Sequence, residues 1–239
     1  MEVDGAGKRF HSPTEETVRI KTIIFDFDGT IVESVGIKDW AFETLFKEYP
    51  DKLDEIMKYH LSHNATVRFE KFRYITENIL GQRYDQEIER KLSRGFSKLV
   101  FKKIVQCPYV SGAEDFLEYF GRKVPLYLIS ASPAEELDGI LEARNLRQYF
   151  KKIYAVPWVK EDAIKEILDT ESVLPEETVF IGDAFEDYQA AQFTKVFFIG
   201  RDSGKSFHGA ELNIFRDFFA IWAFLENLDV KEGLTCQIT

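Results

Sequence analysis

The 239 residues suffice for one large domain or for a core with a smaller partner, and their 45% apolar and 30% charged content excludes a disordered or collagen-like chain. A formal charge of −10, with no apolar run near the ~18–20 residues of a membrane span, argues against nucleic acid and the bilayer as partners. The expectation is a cytoplasmic protein, monomeric or weakly homo-oligomeric, whose 22 Phe give an aromatic interior and whose Cys107 and Cys236 are free thiols.

Residues 1–18 mix charge with Gly and Pro without a continuous apolar stretch, so a flexible tail is expected rather than a secretory signal. A short apolar run at Ile20–Phe25 then predicts a buried strand and leads directly into Asp26-Phe27-Asp28-Gly29-Thr30. From 35 to 108 the apolar spacing turns helical. Ile37, Ala41 and Leu45 form one stripe, Phe69, Phe72 and Ile79 a second, and Ile88, Leu92, Phe96 and Leu99 a third. This predicts an all-helical insert joined to the core (19–34 and 109–239) by linkers near Ser34–Gly36 and Gln106–Gly112.

Beyond the insert, strands are predicted at Val124–Ile129, Lys152–Val156, Thr178–Ile181 and Lys195–Ile199. Helices are predicted at Ala113–Phe120, Ala134–Leu146, Val159–Leu168 and Tyr188–Phe193, with Ser132-Pro133 as cap and first-turn proline of the second. Strands alternating with helices imply a parallel sheet. A last amphipathic segment, Leu212 to Leu225, is expected to dock as a terminal helix. The loop Gly200-Arg201-Asp202-Ser203-Gly204-Lys205-Ser206 imitates a nucleotide-binding loop but is one residue short between its glycines, which leaves it a surface loop. His60 and His63 have no third metal ligand nearby and read as polar surface.

Four short motifs fall at the carboxyl ends of predicted strands, where open parallel sheets place their ligand crevice. They are Asp26-Phe27-Asp28-Gly29-Thr30, Ser130 with Ala131, Lys160 at a helix start, and Gly182-Asp183-Ala184-Phe185-Glu186-Asp187. Clustered carboxylates at Asp26, Asp28 and Asp183 would repel one another without a cation, and an all-oxygen site beside a phosphate suits Mg²⁺. In this order and spacing the motifs resemble the haloacid dehalogenase superfamily, whose pattern is DxDGT, Ser or Thr, Lys, then GDxxxD. The match spans Ile20 to Gly200, and the insert stands where the phosphoglycolate phosphatase-like branch carries its helical cap.

The resemblance implies a Rossmann-like, three-layer α/β/α core with an inserted helical cap and a phosphatase that acts on a small phosphorylated metabolite. It makes Asp26 the nucleophile, forming an aspartyl-phosphate, and Asp28 the general acid and base, a role that needs a raised pKa. Ser130, Ala131, Gly29 and Thr30 would surround the phosphate, Lys160 would neutralise it, and Asp26, Asp28, Asp183 and Asp187 would hold or support Mg²⁺. Arg68 and Arg73, near Lys71 in the insert, would face the leaving group. Asp28 argues against dehalogenase chemistry, which lacks the second acid. A sugar phosphomutase and a phosphate binder without turnover are the alternatives. Glu33 stands where many relatives carry Asp, and Ala131 where many carry Asn, which weakens transfer of any particular substrate.

Overall fold

A computed structural model describes residues 20–63, 66–205, 207 and 212–228; the tail 1–18, Asn64, Ser206 and Cys236 lie outside them. Six strands form a sheet in the order β3-β2-β1-β4-β5-β6: β1 Thr22–Phe25, β2 Leu126–Pro133, β3 Lys152–Val156, β4 Thr178–Gly182, β5 Phe197–Arg201 and β6 Asn213–Phe215. Every pairing is parallel. Phe25 lies level with Leu128 on one side and Ile181 on the other, so the residues following all three meet at one edge.

The central strands are apolar on both faces, as a parallel sheet covered by helices requires. Ile23, Phe25, Leu128 and Ile181 face one hydrophobic cluster with α5 (Ala113–Gly121), α6 (Ala134–Ala143) and α9 (Phe218–Leu228). Ile24, Tyr127, Ile129 and Phe180 face a second cluster with α7 (Lys160–Glu171) and α8 (Phe185–Thr194). The period of two along each strand separates these layers.

Between β1 and β2 the chain is helical: α1 Ile37–Phe46, α2 Leu53–Ser62, α3 Arg68–Tyr74 continued by a π turn at Ile75–Ile79, and α4 Gln86–Gln106. Asp85 starts α4 by accepting the Glu87 and Ile88 amides, the usual work of an N-cap carboxylate. Phe42 of α1 is the hub, with Phe72 at 5.3 Å and Phe96 at 5.1 Å. The two connections to the sheet run side by side, joined by Glu33 N to Pro108 O at 2.9 Å and Val110 N to Ile31 O at 3.0 Å. Arg144 Nη1 donates to the carbonyls of Ile104 and Cys107, closing the end of α4 against the core.

Several expectations need correction. Strand β2 runs past Ile129 to Pro133 through a register shift against β3, so Ser132 is a strand residue and caps no helix, and Pro133 occupies the N-cap position of α6. Helix α6 stops at Ala143, with Asn145 at φ 55°, rather than at Leu146. Lys195 is the left-handed C-cap of α8 and not the start of a strand. The terminal segment opens with the short parallel strand β6, which the helical spacing concealed, before α9 begins. In the second stripe Phe72 and Ile79 are buried as expected, but Phe69 is exposed, and Lys71 and Ile75 complete the buried face.

Candidate active site

Asp26 follows the last residue of β1, and its amide donates to Ile181 O at 2.9 Å. Strand pairing thus delivers it beside Asp183, which follows β4. Carboxylate oxygens of Asp26, Asp183 and Asp187 lie within 4.8 Å of one another, and all three residues are buried. Lys160, the first residue of α7, reaches into this group with Nζ 2.8 Å from Asp26 Oδ1 and also pairs with Asp187. Asp187 Oδ2 accepts the Ala184 amide at 3.0 Å, which orients it from the first turn of α8.

Two glycines make this crowding possible. At Gly29, with φ +77°, a Cβ would stand 2.1 Å from Asp183 Oδ2, and at Gly182 it would stand 2.5 Å from Asp187 Cβ. Both distances are far inside contact, so a side chain at either place would displace a carboxylate.

The electrostatics follow from burial. Asp26 is pushed up to about 7, chiefly by loss of solvent and by the charge of Asp187, against the pull of Lys160. Asp183 and Asp187 are raised by burial too, Asp183 also by the Asp26 charge. Lys160 is held up despite its burial by the charges of Asp26 and Asp187. A buried set of carboxylates pressed toward protonation is what a divalent cation relieves. The donors are all hard oxygens, and Lys205, with Nζ 2.7 Å from Asp183 Oδ2, is the cation that now faces them from the loop after β5. Asp26, Asp183 and Asp187 therefore fit a hard metal ion.

Asp28 is partly buried and differently held. Ser34 Oγ donates to it at 2.8 Å, Lys38 Nζ at 2.9 Å and Ser132 Oγ at 3.4 Å. Burial pushes its carboxyl up, but Lys38 and Ser34 outweigh this and hold it below the usual carboxylate value, opposite to the raised pKa that the acid role requires. Ser130 is buried at the end of β2's regular pairing, and its Oγ accepts the Ser132 amide at 3.1 Å, leaving its own proton free to donate. Thr30 is fully buried, with no partner for its hydroxyl. Ala131 is exposed and lines a cavity of about 440 Å³ between the sheet edge and the insert.

The insert residues part company. Arg68 lines this cavity and reaches across to the core, with Nη1 3.1 Å from Glu136 Oε2 of α6. Arg73 does not line it: it is exposed and lies over the Tyr84 ring at 5.5 Å, because its place in α3 points it outward. His60 departs from the surface expectation as well, being buried and stacked on Phe42 at 3.9 Å; His63 is exposed. Lys38, Lys205 and Arg201 were not singled out for the site from the sequence. Arg201 is buried, donates to Gly29 O at 3.0 Å and pairs with Glu33, so the end of β5 fixes the loop that follows the first two aspartates.

A family model described as haloacid dehalogenase-like hydrolase matches residues 23–200. The chain belongs to that family of hydrolases. Among solved structures, a predicted phosphoglycolate phosphatase from Haemophilus somnus is 16% identical with TM-score 0.67, over 89% of this chain and 99% of that one. The protein YfnB of Bacillus subtilis, solved bound to magnesium, is 15% identical with TM-score 0.65, over 87% and 99%. CbbY of Rhodobacter sphaeroides, in complex with xylulose-1,5-bisphosphate, is 18% identical with TM-score 0.62, over 83% and 95%. At these identities the likeness establishes the fold. No curated protein matches the chain in sequence. Among the described residues no helix is long and apolar enough to cross a membrane.

Proposed function

We propose that the chain is a magnesium-dependent phosphatase acting on a small phosphorylated metabolite through an aspartyl-phosphate on Asp26. One observation carries this reading: Asp26, at the end of a central strand, belongs to a three-carboxylate cluster and also meets the Lys160 ammonium at 2.8 Å. A phosphate monoester repels an anionic nucleophile, so catalysis depends on positioning and charge neutralisation. Lys160 supplies one positive charge, and Mg²⁺, held by Asp26, Asp183, Asp187 and the Asp28 main chain, would supply the rest. YfnB, solved with magnesium, and the predicted phosphoglycolate phosphatase support the choice of cation and substrate class.

Asp26 attacks phosphorus in line, and the phosphoryl oxygens are met by Ser130 Oγ and the Ala131 amide. Contrary to expectation, the Gly29 and Thr30 amides already donate to Val32 O at 3.0 Å and Phe27 O at 3.3 Å, so these residues shape the loop instead. Asp28, hydrogen-bonded to Lys38 and Ser132 of the cavity wall, protonates the leaving oxygen and then takes a proton from the attacking water. Lys38 holds Asp28 ionised, which suits the second half of that cycle; the first half requires that the Lys38 contact loosen as substrate enters. The insert, residues 35–108, acts as a cap over a core of 19–34 and 109–239. The same reading places the protein in the cytoplasm, and the formal charge of −10 supports the expectation of no nucleic-acid or membrane partner.

The test is phosphate release from para-nitrophenyl phosphate with Mg²⁺, by the native chain and by Asp26→Asn. Release by the native chain alone supports the reading, whereas equal rates refute it. Isomerisation of a bisphosphorylated sugar without release would assign phosphomutase chemistry instead.

A further inference from the structure

The cavity of about 440 Å³ beside Asp28 lies within the ~300–1,000 Å³ span of sites for ligands much larger than a two-carbon acid. Much of its wall is apolar, with Phe42, Val67, Phe69 and Phe96 contributing. Its charged groups nearly cancel. Lys38 is paired with Asp28 at 2.9 Å, Arg68 with Glu136 at 3.1 Å, and Asp39 Oδ1 lies 2.9 Å from His60 Nε2. Among the described residues that line it, one cation has no carboxylate in direct contact, Asp39 reaching it only across the His60 ring. Lys71 is 4% exposed, and its Nζ has only uncharged partners, His60 O at 3.2 Å and His60 Nδ1 at 3.3 Å.

The partners of His60 define its state. Asp39 accepts a hydrogen bond from Nε2–H, so Nδ1 presents a lone pair to Lys71, and burial holds the ring toward its neutral form. Asp39 and His60 thereby act as positioning residues that hold the Lys71 ammonium in the cavity wall. A buried cation with no carboxylate in contact is costly, and a ligand anion can pair with it directly.

We propose that Lys71 recognises an anionic group, a carboxylate or a second phosphate, borne on the leaving-group side of the substrate by a body with an apolar face that packs on Phe42 and Phe96. The inference rests on the phosphatase reading, since it takes the phosphoryl group to sit at Asp26.

Three esters with one body test it: phenyl phosphate, 4-carboxyphenyl phosphate and benzene-1,4-diyl bisphosphate. Their binding to Asp26→Asn with Mg²⁺ is measured by calorimetry, so that turnover does not consume them. One or both charged esters should bind about tenfold or more tighter than phenyl phosphate, and which one does so distinguishes carboxylate from phosphate. Adding Lys71→Met should erase the difference, while Lys71→Arg should retain most of it. Lys71→Gln, which keeps the contacts to His60 without the charge, serves if Lys71→Met fails to fold. Equal binding of all three esters, or a preference that survives the loss of the Lys71 charge, overturns the proposal. Failure of the phosphatase reading looks different: the binding preference would stand while the native chain released no phosphate from para-nitrophenyl phosphate.

Discussion

Gly29→Ala and Gly36→Ala form a controlled pair. Both glycines are left-handed, at φ +77° and +81°, yet a Cβ at Gly36 meets nothing within 4 Å, while at Gly29 it meets Asp183 Oδ2 at 2.1 Å and Val35 Cγ2 at 2.9 Å. Forcing an L residue into the left-handed region costs about 1–2 kcal/mol, offset by about 0.4–1 kcal/mol from a stiffer unfolded chain. Gly36→Ala should therefore lose no more than about 1.5 kcal/mol and leave metal affinity alone. Gly29→Ala adds a collision that only a shift of Asp183 can relieve, about 1–3 kcal/mol more by analogy with overpacked cores. Because Asp183 belongs to the carboxylate cluster, that shift should also weaken Mg²⁺ binding by about tenfold, the scale set by one lost contact to a charged group. Urea unfolding gives the stabilities and titration calorimetry the affinities. Equal stability losses in the two variants, with native metal affinity in Gly29→Ala, would refute the argument that the glycine exists to admit Asp183.

Lys160→Met should lower turnover by about 10²–10³-fold and should cost about 3–5 kcal/mol at pH 8, where it strands ionised Asp26 and Asp187. The stability cost should shrink at pH 5, where those carboxylates can take up protons, and a loss independent of pH would contradict this. In EDTA, a folded Asp26 raised to about 7 binds its proton more tightly than the unfolded chain, so its contribution is present below the unfolded value near 4 and is lost as pH rises through 7. The melting temperature of the native chain relative to Asp26→Asn should accordingly fall from pH 5 to pH 8 in EDTA and recover with Mg²⁺; an unchanged difference would count against it. Lys38→Met removes the main charge that holds Asp28 low, so the acid limb of the kcat profile should move to higher pH, and an unmoved limb would take Lys38 out of the account.

The catalytic edge was legible in the sequence because each motif sits where its strand ends, and strand ends in a parallel sheet converge. Asp26, Asp183, Asp187 and Lys160 meet for that reason alone. The groups that modulate them were not legible. Lys38 acts from a helix ten residues beyond Asp28, and Arg201 from a strand end 172 residues beyond Gly29, and neither separation carries a local pattern. His60 and Lys71 look like polar surface in one dimension; only the crossing of α2 and α3 over Phe42 buries them together. Strand β6 was hidden because it is only three residues long, two of them exposed, and gains its place by backbone pairing with β5. Arg73 lies near Arg68 in sequence but not in space, since five residues along a helix turn a side chain about 140° away.

The central claim is a covalent bond between Asp26 and phosphorus. Acid quench of the native chain during turnover of para-nitrophenyl phosphate with Mg²⁺, followed by peptide mass analysis, should find a phosphoryl group on Asp26, with none on any residue of Asp26→Asn. A phosphoryl group on another residue, or steady turnover by Asp26→Asn, would contradict it.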